Sequence, residues 1–461
     1  MLEMSKILAK FFIIVFVLFF VNSNIVSYAV EETTQNAVVI EKEPEKLISG
    51  KITFDEISKK AKKHSYDLQL ADFDIMIAKQ GIRNARSEYF PKIVAMASTE
   101  YTKNFKDYAN TTVTTVGDSF INPYTRFQSM FGITLSYNLF DFGARRNALD
   151  AAKEDSKVKE LLLKEQFQEL DLTLIDTYCR LLITKQQIEI NQKIFELVQN
   201  NLEMKQRLFD AKEISKIELN DAKVAVKKIE QRIEELGSIA QESINWISFY
   251  TGEQYNLAEL EVQEFKKPDF DPMEFNDYTK SITWQIQEHE LKKKELELRV
   301  AKKAYLPKVN AYSRYYVYGS DHSSYRDAID DVSPSNWTIG GTVQMPVFDG
   351  FHTSAMVQTA SLELKKQFIQ RDKAIAELMT RLSTMRSNLM YLERQTEDAQ
   401  ELLYELMDKE KSTKRLVDKK EITPIEWNQI QVEMLEQEIE LIKNSSTVLA
   451  ILKGIQVLTT Y

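Results

Sequence analysis

The sequence predicts a mainly α-helical chain with a smaller β component, built as two tandem repeats that each supply long coiled-coil helices and one pair of strands. Three observations carry this: a scarcity of chain-breaking residues, a duplication at an offset of 208, and two stretches in which apolar residues alternate with polar or small ones. The 461 residues include only 12 Gly and 9 Pro, about 5% together where ~12% is ordinary, which excludes linker-rich and many-turned architectures. At 43% hydrophobic and 28% charged, the chain is also too apolar for general disorder.

The first thirty residues differ from the rest. Lys6 and Lys10 precede an apolar core from Phe11 to Val21, followed by Asn22 to Asn24 and a small-x-small site at Ser27-Tyr28-Ala29. This reads as a cleavable secretory signal over residues 1–29, with an uncleaved anchor as the alternative; the core is shorter than the ~20 residues a spanning helix needs. Residues 30–50 form an acidic extension. No later stretch is apolar and long enough for a transmembrane helix, so a membrane could be entered only by strands.

The duplication sets the domain organisation. Arg207 to Asn220 reads RLFDAKEISKIELN and Arg415 to Asn428 reads RLVDKKEITPIEWN, with nine of fourteen positions identical. Tyr89-Phe90-Pro91-Lys92 returns as Tyr305-Leu306-Pro307-Lys308, and Phe140-Asp141 with Gly143 returns as Phe348-Asp349-Gly350. The landmarks keep their order, so residues 51–254 are one structural repeat and 278–461 the second, which ends in a short C-terminal tail. Residues 255–277 join them.

Each repeat opens with a helix that stops near the Y-x-P-K motif. The polar-aromatic middle then supplies strands. Phe131, Ile133, Leu135, Tyr137 and Leu139 alternate with Gly132, Thr134, Ser136 and Asn138. Trp337, Ile339, Gly341, Val343, Met345 and Val347 alternate in the second copy with Thr338, Gly340, Thr342 and Gln344. Ile93 to Tyr101 and Val309 to Tyr318 are the partner strands, and Lys103 to Tyr124 and Gly319 to Asn336 are polar loops. Alternating segments of this length with aromatic flanks suit a transmembrane β-barrel, in which every backbone polar group must be paired. Phe131, Ile133, Leu135, Tyr137, Ile339 and Val343 are then expected to face lipid, and Thr134, Ser136, Thr342 and Gln344 water. Four strands cannot close a barrel around a lumen, so several copies must share one. A small soluble sheet capping a coiled coil is the other reading of the same strands.

After the F-D-G junction the chain has no Gly or Pro from Ala144 to Leu236, and none from Phe351 to Thr423. Phe167, Leu174, Leu181, Ile188, Phe195, Leu202 and Phe209 recur at sevenfold spacing, the seam of a coiled coil. Such a helix running to Lys212 would be roughly 100 Å long at ~1.5 Å per residue. The motif K-E-I-[ST] interrupts it in both copies, at Lys212, Glu213, Ile214, Ser215 and at Lys420, Glu421, Ile422, Thr423. Ser215 and Thr423 suit an N-cap, Glu218 and Glu426 complete a capping box, and Pro424 suits the first helical position. An antiparallel helical hairpin is expected at each tip, a continuous helix being the alternative at Ser215.

The doubled order of helix, Tyr89-Phe90-Pro91, strand pair, Leu139-Phe140-Asp141-Phe142-Gly143, long helix and tip resembles the TolC-type outer-membrane efflux proteins, from about Ile52 to Leu452. The resemblance implies a homotrimer with a shared 12-stranded barrel in outer-membrane lipid, an α-helical barrel crossing the periplasm, and an equatorial region to which residues 255–277 contribute. It also implies passive conduction as the exit duct of a tripartite efflux pump or type I secretion system. The partners would be a periplasmic adaptor protein and an inner-membrane transporter, docked at the tips and gating them. Family members usually carry glycine where Lys212 and Lys420 stand. Acidic residues lining the periplasmic entrance would correspond to Glu426, Gln429, Glu218 and Asp221; for Glu426 a capping role alone is the other reading.

Other function classes find little support. The single cysteine, Cys179, cannot form an internal disulfide, and His64, His289, His322 and His352 are too scattered for a local metal site, so no metal and no cofactor is expected. No Gly-rich phosphate loop occurs, since Gly340-Gly341 sits inside a strand pattern. The carboxylates follow solvated helix faces, so no catalytic residue is assigned and no enzyme is expected. A net charge of −9 argues against nucleic acid. The alternative function is a periplasmic coiled-coil adaptor or scaffolding protein without a pore.

Overall fold

The computed structural model describes residues 47–103, 127–272 and 277–459. The expected signal peptide, most of the acidic extension and the Lys103 to Tyr124 loop beyond Lys103 lie outside the described residues. In chain order the elements are β1 (Leu47–Ile52), α1 (Phe54–His64), α2 (Tyr66–Ser87), β2 (Lys92–Tyr101), β3 (Phe127–Phe140), α3 (Ala144–Asp210), α4 (Lys216–Thr251), β4 (Gln254–Val262), α5 (Ile282–Lys303), β5 (Lys308–Asp321), α6 (Tyr325–Asp330), β6 (Ser333–Gln344), α7 (His352–Asp418) and α8 (Pro424–Thr459). α3 and α7 are each 67 residues and α4 and α8 each 36, so the two repeats match in length as well as in motif. The fold is mainly helical with a β component, as the sequence predicts.

The chain forms two compact units. One is built from Asn84–Arg146 and Lys302–Thr353 and holds a four-stranded antiparallel sheet in the order β2-β3-β5-β6. Both strand pairs lie where the alternation places them, and β3 pairs with β5 to join the repeats into one sheet. Two details differ. β6 ends at Gln344, because Pro346 cannot continue the ladder, so Met345 and Val347 fall outside it. The polar stretch from Gly319 to Asn336 is no simple loop. It contains α6, N-capped by Ser324, and the start of β6. Ala328 is fully buried and its carbonyl lies against Gly319, leaving no room there for a side chain.

The other unit comprises Glu45–Arg83, Asn147–Ala301 and Ser354–Tyr461. Its largest core gathers Leu174, Tyr178, Leu181 and Leu182 of α3 with Ile57 and Ala61 of α1 and Ile244 and Ile247 of α4. Leu174 and Leu181 belong to the sevenfold seam, but Tyr178 and Leu182 broaden it into the wider apolar stripe of a globular helix. Tyr178 packs edge-on against Phe54 and Phe265, and its hydroxyl lies 2.7 Å from the Gln263 carbonyl and 3.1 Å from that of Ile52. It thereby ties α3 to a two-stranded parallel sheet of β1 and β4. That sheet was invisible to local patterning, being a non-local pairing between the acidic extension and the inter-repeat segment. Residues 273–276 of that segment lie outside the described residues.

A second cluster packs Ile190 and Ile194 of α3 against Leu435 and Ile439 of α8. Here the first hairpin meets the returning arm of the second, and Asn428 donates to Asn201 at 2.7 Å further along the same pair. Among the described residues no helix is long and apolar enough to cross a membrane.

Candidate functional site

The two features that could act on a solute are the sheet and the hairpin tips. In the sheet, register decides which side chains share a face. Phe131, Ile133 and Leu135 of β3 lie opposite Ala97, Ala95 and Ile93 of β2 and opposite Val317, Tyr315 and Ser313 of β5. β6 extends the row with Trp337 opposite Tyr315, Ile339 opposite Ser313 and Val343 opposite Val309. Tyr137 pairs with Ala311 on the same face. The six residues expected to face lipid therefore do share one face. Away from α6, which packs over Phe127 and Gly319, this face is uncovered among the described residues: Ile93, Trp337, Ile339 and Val343 are each about 70% exposed.

The opposite face carries Thr134, Ser136, Thr342 and Gln344, and with them nearly all the charge. Lys92, Glu100, Lys308 and Arg314 all project there; the one other charged strand residue, Asp321, is the last of β5 and pairs with Phe127. Two glycines permit close packing on this side. A Cβ on Gly132 would overlap the Tyr316 ring, and one on Gly340 would lie 2.7 Å from the Tyr312 hydroxyl, so both rings lie against the sheet. The Tyr316 hydroxyl is 3.4 Å from that of Thr134.

Both sheet-to-helix junctions use consecutive left-handed residues. Phe142 and Gly143 have φ of 57° and 82°, and Gly350 and Phe351 have 65° and 67°. At the duplication offset glycine and phenylalanine have exchanged places, so each half keeps one phenylalanine in a conformation that disfavours side chains. An aspartate compensates by capping the helix. Asp141 accepts from the Gly143 and Arg145 N–H groups at 3.1 and 3.0 Å, and Asp349 from the Thr353 N–H at 2.9 Å. Hydrogen bonds from Thr353 hold the Asp349 carboxyl below its ordinary pKa, outweighing a small desolvation effect.

The tips form turns, not continuous helix. α3 and α7 both end in the double hydrogen bond of a Schellman motif: the Glu213 N–H donates to the Leu208 carbonyl and the Lys212 N–H to that of Phe209, each at 2.9 Å. Glu421 to Leu416 and Lys420 to Val417 repeat it at the same distances. Lys212 and Lys420 occupy the left-handed position of that motif, at φ of 62° and 63°. The turn usual for glycine thus survives its replacement. Ile214 and Ile422 follow, half-buried.

α4 begins with a complete capping box. The Ser215 hydroxyl accepts from the Glu218 N–H, and the Glu218 carboxylate accepts from the Ser215 N–H, both at 3.3 Å. At α8 the Thr423 hydroxyl accepts the Glu426 N–H at 3.4 Å, and the Glu426 carboxylate stays exposed with no partner among the described residues. Of the four entrance candidates, Glu218 is therefore engaged in capping and Glu426 is free. Asp221 and Gln429 line one groove of about 360 Å³ with Asn201, Lys205 and Glu433, where the two hairpins meet.

Sequence reasoning missed several contacts. The Trp427 indole donates to Glu410 at 2.9 Å, with Lys414 5.6 Å from the ring centroid; the first hairpin has Leu219 and Leu202 at the matching positions. Arg145 donates to Asp141 at 2.8 Å and to the Glu88 carbonyl at 3.1 Å, with its guanidinium 5.1 Å from the Tyr89 ring. Reading every second residue of β5, which yields Lys, Asn, Tyr, Arg, Tyr, Tyr from Lys308 to Tyr318, would have exposed the cationic and aromatic character of its polar face.

Residues 57–253 match the family model described as outer membrane efflux protein. No curated protein matches the sequence. Among solved structures the chain is similar to the outer membrane protein VceC of Vibrio cholerae, with TM-score 0.70 and 13% identity over 88% of this chain and 96% of that one. It is similar too to the CmeC outer membrane channel of Campylobacter jejuni, with TM-score 0.71 and 18% identity over 88% and 86%. The open state of the MtrE outer membrane channel of Neisseria gonorrhoeae gives TM-score 0.60 and 12% identity over 87% and 88%. These likenesses cover both repeats and establish the fold.

Proposed function

We propose that this chain, a TolC-type outer-membrane efflux protein by its family match and its fold, is the passive exit duct of an efflux pump or a type I secretion system. The observation that carries this reading is the segregation of charge in the sheet. Lipid cannot hydrogen-bond a backbone or solvate an ammonium group, so a membrane-spanning sheet must be closed, and its hydrocarbon face must be free of charge. Apart from Asp321, the last residue of β5, the face bearing Phe131, Ile133, Leu135, Tyr137, Ile339 and Val343 has no charged strand residue and so meets the second condition over the rest of its length.

The first condition requires more than one copy. β2 and β6 are the outer strands of the sheet, each with an edge that pairs with no other strand among the described residues. Three copies bring twelve strands, enough for a barrel with an aqueous lumen. The homotrimer lies in outer-membrane lipid with its helices in the periplasm. A periplasmic adaptor protein and an inner-membrane transporter supply cargo and energy, since conduction needs no chemistry in the duct. The tips at Lys212 to Ser215 and Lys420 to Thr423 are the docking elements. The unengaged Glu426, three times over, gives the entrance a cation preference, with Asp221 and Gln429 beside it and Glu218 held in its cap.

Single-channel recording of the purified mature protein in a planar bilayer tests the reading. Discrete, long-lived conductance steps are expected. A protein that stays soluble without detergent and adds no conductance would instead be a coiled-coil adaptor.

A further inference from the structure

We propose that the charged face of the sheet holds a binding site for planar aromatic anions, centred on Arg314 and Tyr312 of β5; this rests on the reading that the face lines the lumen. Along β5 the residues on this face are Lys308, Asn310, Tyr312, Arg314, Tyr316 and Tyr318. A cation therefore stands between tyrosines at the ~7 Å spacing of alternate strand residues.

Three features make it a prepared surface. First, the Arg314 guanidinium is stacked 4.3 Å from the Tyr312 ring centroid, which orients the fork while its outer edge stays exposed. Second, Gly340 and Gly132 let the Tyr312 and Tyr316 rings lie down on the sheet, so that Tyr312 is held beneath the guanidinium and the half-buried Tyr316 ring lies on the other side of the charge. Third, nothing neutralises it. Arg314 has no acidic partner among the described residues, and its cross-strand neighbours are Thr134 and Thr338. The next row on this face brings Lys92 opposite Ser136, beside Tyr312; Lys92 is paired with Glu88 at 2.8 Å. Lys308 adds a further exposed cation, and among the described residues Glu100 is the only acid on this face.

A carboxylate or sulfonate can take two parallel hydrogen bonds from the guanidinium edge, while an attached ring packs on Tyr316. Neither an aromatic cation nor a ringless anion satisfies both halves. With three copies, three such sites would ring the lumen, a weak and repeated contact that suits transit better than retention.

The test uses the full mature channel in planar bilayers, with naphthalene-1,5-disulfonate as probe and sulfate and N-methylquinolinium as controls of matched charge and matched ring. Naphthalene-1,5-disulfonate is expected to block current at a concentration roughly tenfold lower than either control. Arg314→Gln should raise that blocking concentration roughly tenfold, the value of one charged hydrogen bond. Arg314→Lys, which keeps the charge without the fork, should fall between. Open-channel conductance of each variant reports its folding. Equal block by sulfate, or block unchanged in both conducting variants, overturns the site and leaves the duct standing. Absence of any conductance from the unaltered protein overturns the duct and the site with it.

Discussion

Lys212 and Lys420, 208 residues apart, hold the same left-handed backbone at φ of 62° and 63°, and each closes a Schellman motif at the end of a 67-residue helix. A side chain in this region carries a strain of about 1–2 kcal/mol that glycine does not. Lys212→Gly and Lys420→Gly should therefore each stabilise the protein, by up to ~1 kcal/mol once the greater freedom of glycine in the unfolded chain is subtracted. Lys212→Val, β-branched at the same position, should destabilise it. Thermal midpoints in detergent separate these outcomes.

The two strand-to-helix junctions should differ in strength. Arg145 is well buried and joins Asp141, the Glu88 carbonyl and the Tyr89 ring, where the second repeat has Thr353. Arg145→Ala leaves the buried Asp141 carboxylate without its charge partner and should cost about 2–4 kcal/mol. Thr353→Ala removes a hydroxyl bond to the exposed Asp349 and should cost clearly less. Urea denaturation followed by circular dichroism gives both values.

Acid should weaken the contact between α3 and α5. Glu154 is nearly buried, with His289 Nδ1 at 2.6 Å, Lys292 at 3.1 Å and Lys157 at 3.2 Å. Desolvation pushes its pKa up, but the hydrogen bonds and charges of these three groups outweigh it and bring the pKa down to about 2. A depressed carboxyl pKa contributes stability that is complete above the unfolded value, near 4.5, and is lost as pH falls toward 2. Glu154→Gln should then be less stable than the parent at pH 7, the gap closing between about pH 4.5 and 2. A gap that stays constant over that window would show the carboxylate charge to be irrelevant.

The two faces of the sheet should differ in access to water. Cysteines introduced singly at Ile133, Leu135, Ile339 and Val343 should resist a membrane-impermeant maleimide in proteoliposomes. Cysteines at Thr134, Ser136, Thr342 and Gln344 should react. The native Cys179, buried and with its thiol pushed up to about 12 by burial, is expected to stay silent. Equal labelling of neighbours would contradict the facial assignment.

Ion preference should respond to Glu426 more than to Glu218. The Glu426 carboxylate is unengaged, whereas that of Glu218 bonds Ser215. Glu426→Ala should shift the reversal potential in a salt gradient toward anions, and Glu218→Ala should mainly cost about 1 kcal/mol of helix stability. A reversal potential unchanged by Glu426→Ala would leave that residue outside the conduction path.

Much of this protein was legible in the sequence because its signals are local or repeated. Helices free of breakers, strands with period two, the capping box at Ser215 and Glu218, and the copy at an offset of 208 each follow from rules acting over a few residues or from direct comparison of two stretches. These determined the fold class, the extent of the long helices, the position of the tips, and the division of β3 and β6 into an apolar and a polar face. They could not determine pairings between distant segments. The register that sets Tyr312 and Tyr316 over Gly340 and Gly132, the parallel pairing of β1 with β4, and the approach of His289 to Glu154 depend on packing. Such contacts gain their energy only when chain segments far apart in sequence are brought together, and that gain, not local preference, selected them.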